Sequence, residues 1–165
     1  WALSSLTQCY LFRGDFHRTR RSVERIRACG EHVGVPEIAR ILKVLYPTYM
    51  AITGFWLGDV EEAQDHAERG LAYHDPVLYA GSTSLYLHDP GVLCRAYGGA
   101  SALLAGRPER ARRLCAEAVA TARTLARPWN LVAACMMSAN TPIVQRNERP
   151  TDPHARRWAH SWDQR

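Results

Sequence analysis

The sequence predicts an all-α protein: a right-handed α-solenoid of antiparallel helical hairpins, with about three repeats and a degraded fourth. Two observations lead to this prediction. First, residues 11–16, 55–60 and 103–108 share a pattern, because each places apolar residues just before a glycine and a polar residue just after it. Second, small or apolar residues stand five and nine positions after each glycine (Thr19 and Val23, Ala63 and Ala67, Ala111 and Cys115). Repeats of this kind are typical of stacked helical pairs.

The three glycines, Gly14, Gly58 and Gly106, mark the predicted turns of the hairpins. A glycine can adopt the left-handed conformation that ends a helix, and the polar residue or proline after it can start the next one. The glycines stand 44 and then 48 residues apart, so the predicted repeats differ in length.

Apolar periodicity and helix-start signals place the individual helices. We expect first helices over residues 1–13, 37–57 and 91–105, and second helices over 16–31, 60–73 and 108–125. Asp89 and Pro90 form a start signal, since an N-cap acceptor is followed by a proline at the first helical position.

The fourth unit is incomplete in the sequence. Residues 128–137 indicate another first helix, and residues 155–158 repeat the pattern of 111–114 after a start signal at Asp152 and Pro153. Pro142 interrupts the helical period, and the turn glycine is missing. The sequence therefore predicts a repeat domain over residues 1–140 and a weakly packed or partly disordered tail over residues 141–165.

Composition and charge limit the class of protein. Hydrophobic residues make up 47% of the 165 residues, which is enough for a core, and no window is apolar enough to span a membrane. We expect a cytoplasmic protein without a secretory signal, and the start at Trp1 inside an amphipathic pattern is typical of a piece of a longer chain. The net charge is +5, but the arginines alternate with acidic residues as on a solvated helix face, so nucleic-acid binding is not indicated.

The five cysteines are widely spaced among helical apolar residues, which does not indicate a disulfide framework. We interpret them as small buried residues.

Three segments of the sequence resemble those of a known family. Residues 55–59, 71–76 and above all 87–94 (LHDPGVLC) resemble the tetratricopeptide-like C-terminal region of large bacterial proteins that join a class III adenylate or guanylate cyclase domain to an ATPase. The resemblance covers roughly residues 8–138 and implies a regulatory or assembly segment without chemistry of its own. It leaves the output domain open, because ATPase-linked transcriptional activators carry similar arrays.

Catalytic and metal-binding motifs are weak in this sequence. Lys43, the single lysine, is not part of a phosphate-binding loop, and no alternating strand offers the metal-binding aspartates of a cyclase. A zinc site would need four closely spaced ligands, whereas His74 and His88 have no paired partners. We interpret the two Asp-Pro pairs beside these histidines as turn or helix-cap devices, and we expect no enzyme, cofactor or metal in this segment.

Aromatic residues supply the candidate binding site. Most should lie in the core, and a minority on the concave face of the array could anchor a partner. The candidates are Tyr49, Trp56, Tyr79, Tyr86 and His88. We expect a protein partner or a neighbouring domain of the same parent chain. The alternative is a small-molecule sensor, in which histidines, tyrosines and arginines around residues 74–90 line a pocket.

Overall fold

Apolar periodicity produces helices throughout the part of the chain that can be described. A computed structural model describes the backbone of residues 2–81 and 88–144 and the side chains of residues 2–79 and 88–139. These residues form helices and no strand, so the predicted all-α class is confirmed. The helices are α1 (Ala2–Phe12), α2 (Phe16–His32), α3 (Pro36–Leu57), α4 (Val60–Tyr73), α5 (Pro76–Gly81), α6 (Pro90–Leu104), α7 (Pro108–Thr124) and α8 (Pro128–Val144). Among these helices, none is both long and apolar enough to cross a membrane.

The three predicted glycine turns share one backbone conformation. Gly14, Gly58 and Gly106 have φ angles of +71°, +86° and +73°, in the left-handed region. At Gly58 the glycine N–H donates to the Phe55 carbonyl at 3.2 Å, and the next N–H donates to the Gly54 carbonyl at 2.8 Å. The same pair of bonds closes the other two turns, which is the Schellman motif. The prediction that these glycines end helices is confirmed.

The second helices bury the predicted stripe of small residues. The positions five residues after each glycine, Thr19, Ala63 and Ala111, are all 0% exposed. The positions nine residues after each glycine are also buried (Val23, Ala67 and Cys115). Since residues four apart lie on one side of a helix, each second helix presents this stripe to its neighbours.

The order of helix contacts follows the order of the predicted hairpins. Within hairpins, α1 contacts α2, α3 contacts α4, and α6 contacts α7. Between hairpins, α2 contacts α3, α4 contacts α6, and the first helices α3 and α6 also touch. Helix α8 packs against both α6 and α7, in the place of the next first helix.

Two helices differ from the sequence prediction. The segment that we treated as a connector contains the short helix α5. Asp75 caps this helix by accepting hydrogen bonds from the Val77 and Leu78 amides. Helix α8 continues to Val144, so the prediction that Pro142 interrupts it is wrong. A proline removes one amide donor but need not end a helix, and α3 also contains one at Pro47. The tail predicted for residues 141–165 lies, beyond Val144, outside the described residues.

The cysteines divide into two groups. Cys94 and Cys115 are buried, as predicted, whereas Cys9, Cys29 and Cys135 are exposed. The interpretation as small core residues is therefore wrong for the three exposed thiols. Each exposed cysteine lies on a side of its helix that no described neighbour covers. The residues next to it in the sequence do not indicate this exposure.

Glycines let the two helices of a hairpin approach closely. A Cβ atom at Gly54 would lie 3.2 Å from the Ala63 Cβ atom and 3.3 Å from its backbone nitrogen. A Cβ atom at Gly99 would lie 2.8 Å from the Cys115 Sγ atom and 3.3 Å from the Ala111 carbonyl oxygen. Because part of each contact is backbone, a larger side chain could be accommodated only if the helices separated.

We expect Gly99→Ala to destabilise the protein by up to about 2 kcal/mol, because an overpacking cost of about 1–3 kcal/mol is offset in part by a gain of about 1 kcal/mol in helix propensity. Gly34→Ala, between α2 and α3, is the control for replacement of a glycine without overpacking, since a Cβ atom there meets nothing within 4 Å. Urea unfolding followed by circular dichroism measures both. A higher midpoint for Gly99→Ala than for the unchanged protein would show that the α6–α7 contact is not tight, because only the gain in helix propensity would then remain.

Candidate functional site

An open groove of about 340 Å³ crosses the first helices of the predicted hairpins. It is bounded by α1, α3, α6 and α8, together with the residues that lead into α6. Most of its lining is apolar. The lining residues are Gln8, Leu11, Phe12, Leu45, Thr48, Tyr49, Ile52, His88, Pro90, Leu93, Tyr97, Trp129, Val132, Ala133, Met136 and Met137.

The groove forms because the first helices are apolar on more than one face. On α8, Ala134 and Met137 are buried against the core, at 0% and 4% exposure. The residues Trp129, Val132 and Met136 follow a second stripe of the same helix and are 58%, 48% and 63% exposed. A helix that is apolar nearly all round requires contacts on several sides, and here one side faces the groove.

The groove carries no formal charge on its described lining: none of those side chains is Asp, Glu, Lys or Arg. His88 is half-buried, and this burial lowers its pKa, so its imidazole is neutral at pH 7. Burial raises the pKa of Tyr49, although a side-chain hydrogen bond with Gln8 opposes the shift. The polar groups in the groove are therefore neutral hydrogen-bonding groups.

A buried polar network fixes one end of the groove. The Asp89 side chain caps α6 by accepting from the Val92 amide at 3.1 Å, and it lies 3.2 Å from the His74 Nε2 atom. The Asp89 amide in turn donates to the Asn130 Oδ1 atom at 2.8 Å. The side chains of His74 and Asp89 are only 7% and 4% exposed. This network ties the start of α6 to the start of α8.

Close packing holds the His74 ring in place. It stacks on Tyr79 with ring centroids 5.3 Å apart and an interplanar angle of 25°. On the other side it covers Gly91, where a Cβ atom would lie 2.7 Å from the His74 Cε1 atom. The prediction that the Asp-Pro pairs act as caps, with histidines packing beside them, is thus confirmed for Asp89 and Pro90, which begin α6.

The Cys94 thiol is buried in the core. Burial raises the pKa of the Cys94 thiol to about 12, so it remains protonated at neutral pH and is a poor nucleophile. Its Sγ atom lies 3.3 Å from the Thr48 hydroxyl oxygen. Within residues 2–81 and 88–144, no three His, Cys, Asp or Glu side chains are placed to hold a metal ion together.

The structure brings together two of the five predicted binding residues. Tyr49 and His88 both line the groove. Trp56 is 51% exposed at the end of α3, where it stacks on Phe16 with centroids 6.1 Å apart, outside the groove. Tyr79 lies in the core rather than on an accessible surface: it is 4% exposed and its hydroxyl donates to the Ile41 carbonyl at 2.9 Å.

The fifth candidate, Tyr86, lies outside the described residues. Sequence reasoning missed the groove residues of α1 and α8, above all Phe12, Trp129 and Met136. The available signal was the second apolar stripe of α8, which a search for a single buried face overlooks.

No protein-family model, curated protein or solved structure matches this chain. The groove and the His74–Asp89–Asn130 network therefore stand on their geometry alone.

We expect Asp89→Asn to cost about 1–3 kcal/mol of stability at pH 7, because a charge-assisted hydrogen bond is lost in a buried site. Burial alone would raise the Asp89 pKa, but the bonds from His74 and the Val92 amide outweigh it and hold the pKa below its ordinary value near 3.8. The carboxylate's stabilising contribution is thus complete above that value and is lost as pH falls through the lower folded pKa.

The deficit of Asp89→Asn should therefore shrink as the pH falls below the ordinary pKa near 3.8, as measured by urea unfolding. Asp15→Asn is the control, since Asp15 caps α2 from a partly exposed position and Asn caps about as well as Asp. A deficit that is independent of pH would exclude an ionised Asp89 as its cause.

Proposed function

We propose that this chain is a non-catalytic interaction segment whose groove holds an apolar helix of a protein partner or of a neighbouring domain. The observation that carries the proposal is the groove itself: α1 and α8 present exposed apolar side chains along it, and buried or partly buried side chains of α3 and α6 form its apolar floor. Large apolar residues that are 58–69% exposed, such as Phe12, Trp129 and Met136, are typical of interaction sites when they cluster.

The neutral lining favours an amphipathic helix as the occupant. A charged ligand would lose hydration in the groove without meeting an opposite charge, which is costly. An apolar helix face needs no such opposite charge. Its contact residues would follow the spacing i, i+3, i+4 and i+7. Methionines such as Met136 and Met137 adapt to side chains of different shape.

The repeat geometry supports a tetratricopeptide-like solenoid. Three turns have the same hydrogen bonds, and helix contacts run in chain order from one hairpin to the next. A right-handed stack of such hairpins would place the first helices along a concave face. In the family that the sequence resembles, such an array is a regulatory segment of a larger signalling protein linked to a cyclase or an ATPase. The proposal therefore includes that this chain belongs to a parent protein of that kind in the cytoplasm.

The second candidate is a sensor of small molecules. A volume of about 340 Å³ falls within the range of ligand pockets, roughly 300–1,000 Å³. The lining then favours an apolar compound over a nucleotide, because no arginine or lysine of the described residues lies in it. A thermal-shift screen separates the two functions, since a ligand at about 100 times its Kd stabilises by roughly 2.7 kcal/mol.

We expect Trp129→Ala and Met136→Ala each to weaken helix binding about tenfold, which corresponds to about 1.4 kcal/mol. The probe is an amphipathic helical peptide of about 15 residues selected from a random library on the purified chain. Fluorescence anisotropy gives its Kd for each variant. Both side chains are more than half exposed, so their removal should change the free energy of unfolding little.

Leu104→Ala provides the matched control. Leu104 is also 60% exposed and apolar but does not line the groove, so its replacement should change the Kd less than twofold. If Leu104→Ala weakens binding as much as Trp129→Ala, the peptide binds elsewhere. If no peptide can be selected while an apolar compound stabilises the chain, the sensor function replaces the proposal.

A further inference from the structure

A second cavity, of about 460 Å³, lies between α2, α3 and α4. Its described lining shares no residue with the groove, although both involve α3. Lys43 lines this α2–α4 cavity and Leu45 lines the groove, and two positions correspond to about 200° around a helix. The groove and the α2–α4 cavity therefore lie on different sides of α3.

Basic side chains dominate the polar part of the α2–α4 cavity. Its described lining contains four basic side chains and one acidic one (Arg27, Arg40, Lys43, Arg69 and Glu31). Two of the arginines are already paired. Arg27 lies 3.0 Å from Glu24 and 2.7 Å from Glu31, and Arg40 pairs with Asp75.

Lys43 and Arg69 are the two basic groups that remain. Both side chains are exposed, and neither forms an ion pair with an acidic side chain among the described residues. The four basic groups are thus contacted by three carboxylates, which leaves the site one negative charge short. A ligand with a single negative charge would balance the site, whereas a dianion would exceed the balance.

An aromatic ring connects the two unpaired basic groups. The Lys43 ammonium nitrogen lies 4.3 Å from the centroid of the Tyr73 ring, which is a cation–π contact. Arg69 stands four positions before Tyr73, so it lies on the same face of α4. Lys43 and Arg69 therefore approach one wall of the cavity from two different helices.

The rest of the lining is apolar or aromatic. Pro47 is buried, while Leu42 and the Tyr46 ring are partly buried. A Cβ atom at Gly30 would lie 3.2 Å from the Leu42 Cβ atom, so the glycine leaves the space beside Leu42 open. The cavity thus combines an apolar wall with an unbalanced positive charge.

We propose that the α2–α4 cavity binds a small aromatic carboxylate, with its carboxylate group at Lys43 and Arg69 and its ring against the apolar wall. A guanidinium presents paired N–H groups to both oxygens of a carboxylate, and an ammonium adds a compact charge. A flat ring packs well beside tyrosine rings. The volume falls within the range of ligand pockets, roughly 300–1,000 Å³. This site is separate from the groove and does not depend on what the groove binds.

Fluorine NMR titration of the full chain with 6-fluoro-2-naphthoate tests the proposal. For so small a probe we expect a Kd on the order of 1 mM. The neutral analogue 6-fluoro-2-naphthamide should bind about tenfold more weakly, because it has the same ring but no charge. Lys43→Gln and Arg69→Gln should each weaken naphthoate binding about three- to fivefold, which is the range for exposed charge pairs.

Two variants serve as controls. Arg25→Gln also removes one positive charge from an exposed position, but Arg25 is outside the described lining, so the Kd should not change. Trp129→Ala alters the groove alone and should also leave the naphthoate Kd unchanged, so failure of this site is distinguishable from failure of the proposed function. Because the replaced side chains are exposed, circular dichroism and the urea midpoint should match those of the unchanged protein.

Equal affinities for the naphthoate and the naphthamide would overturn the proposal, because the positive charges would then play no part in binding. Naphthoate binding that is weakened by Trp129→Ala but not by Lys43→Gln would place the compound in the groove and would exclude the proposed site. A titration without saturation at about ten times the expected Kd would contradict the proposal as well.

Discussion

The arrangement of the described helices depends on the close contact within two hairpins, α3 with α4 and α6 with α7. Gly54 against Ala63 and Gly99 against Cys115 bring backbones together where any larger side chain would separate them. Because these interfaces use little side-chain volume, the large apolar residues of the first helices point elsewhere. Some of them fill the core between hairpins, such as Leu45 and Ile52, which are 3% and 2% exposed and form the groove floor.

Arginine–glutamate ion pairs connect successive second helices. Arg20 on α2 lies 2.6 Å from Glu62 on α4, Arg107, just before α7, lies 3.1 Å from Glu61, and Arg110 on α7 pairs with Glu68 on α4. Each pair is partly or largely exposed and contributes little alone, about 0–1 kcal/mol. Together they link successive second helices on the side that carries the charges, while the groove between the first helices stays neutral. The described residues therefore form a charged surface along the second helices and an apolar groove along the first helices.

Local features of this fold could be predicted from the sequence, and distant contacts could not. Gly58 and the Asp89 cap act on neighbouring residues, so their patterns are sufficient to place turns and helix starts. The groove joins Phe12 to Trp129, residues more than 100 positions apart, and its shape depends on how four helices pack. Tyr79 shows the same limit: a tyrosine in a supposed connector looked accessible, but α5 turns it toward α3, where it bonds to Ile41.

The two walls of the groove, the start of α6 and helix α8, differ in how firmly their side chains are held. At the start of α6, the Asp89 carboxylate is hydrogen-bonded to the Val92 amide and the His74 ring. The backbone amide of Asp89 donates to Asn130. The neighbouring residues His88 and Pro90 therefore cannot move without breaking buried hydrogen bonds. Buried polar groups without partners are costly, and that cost opposes any shift. On α8, the exposed side chains of Trp129 and Met136 have no comparable bonds among the described residues, and they can change rotamer at low cost. A partner helix would therefore meet a fixed wall formed by the start of α6 and an adaptable wall formed by α8, which suits recognition by shape on one side and by accommodation on the other.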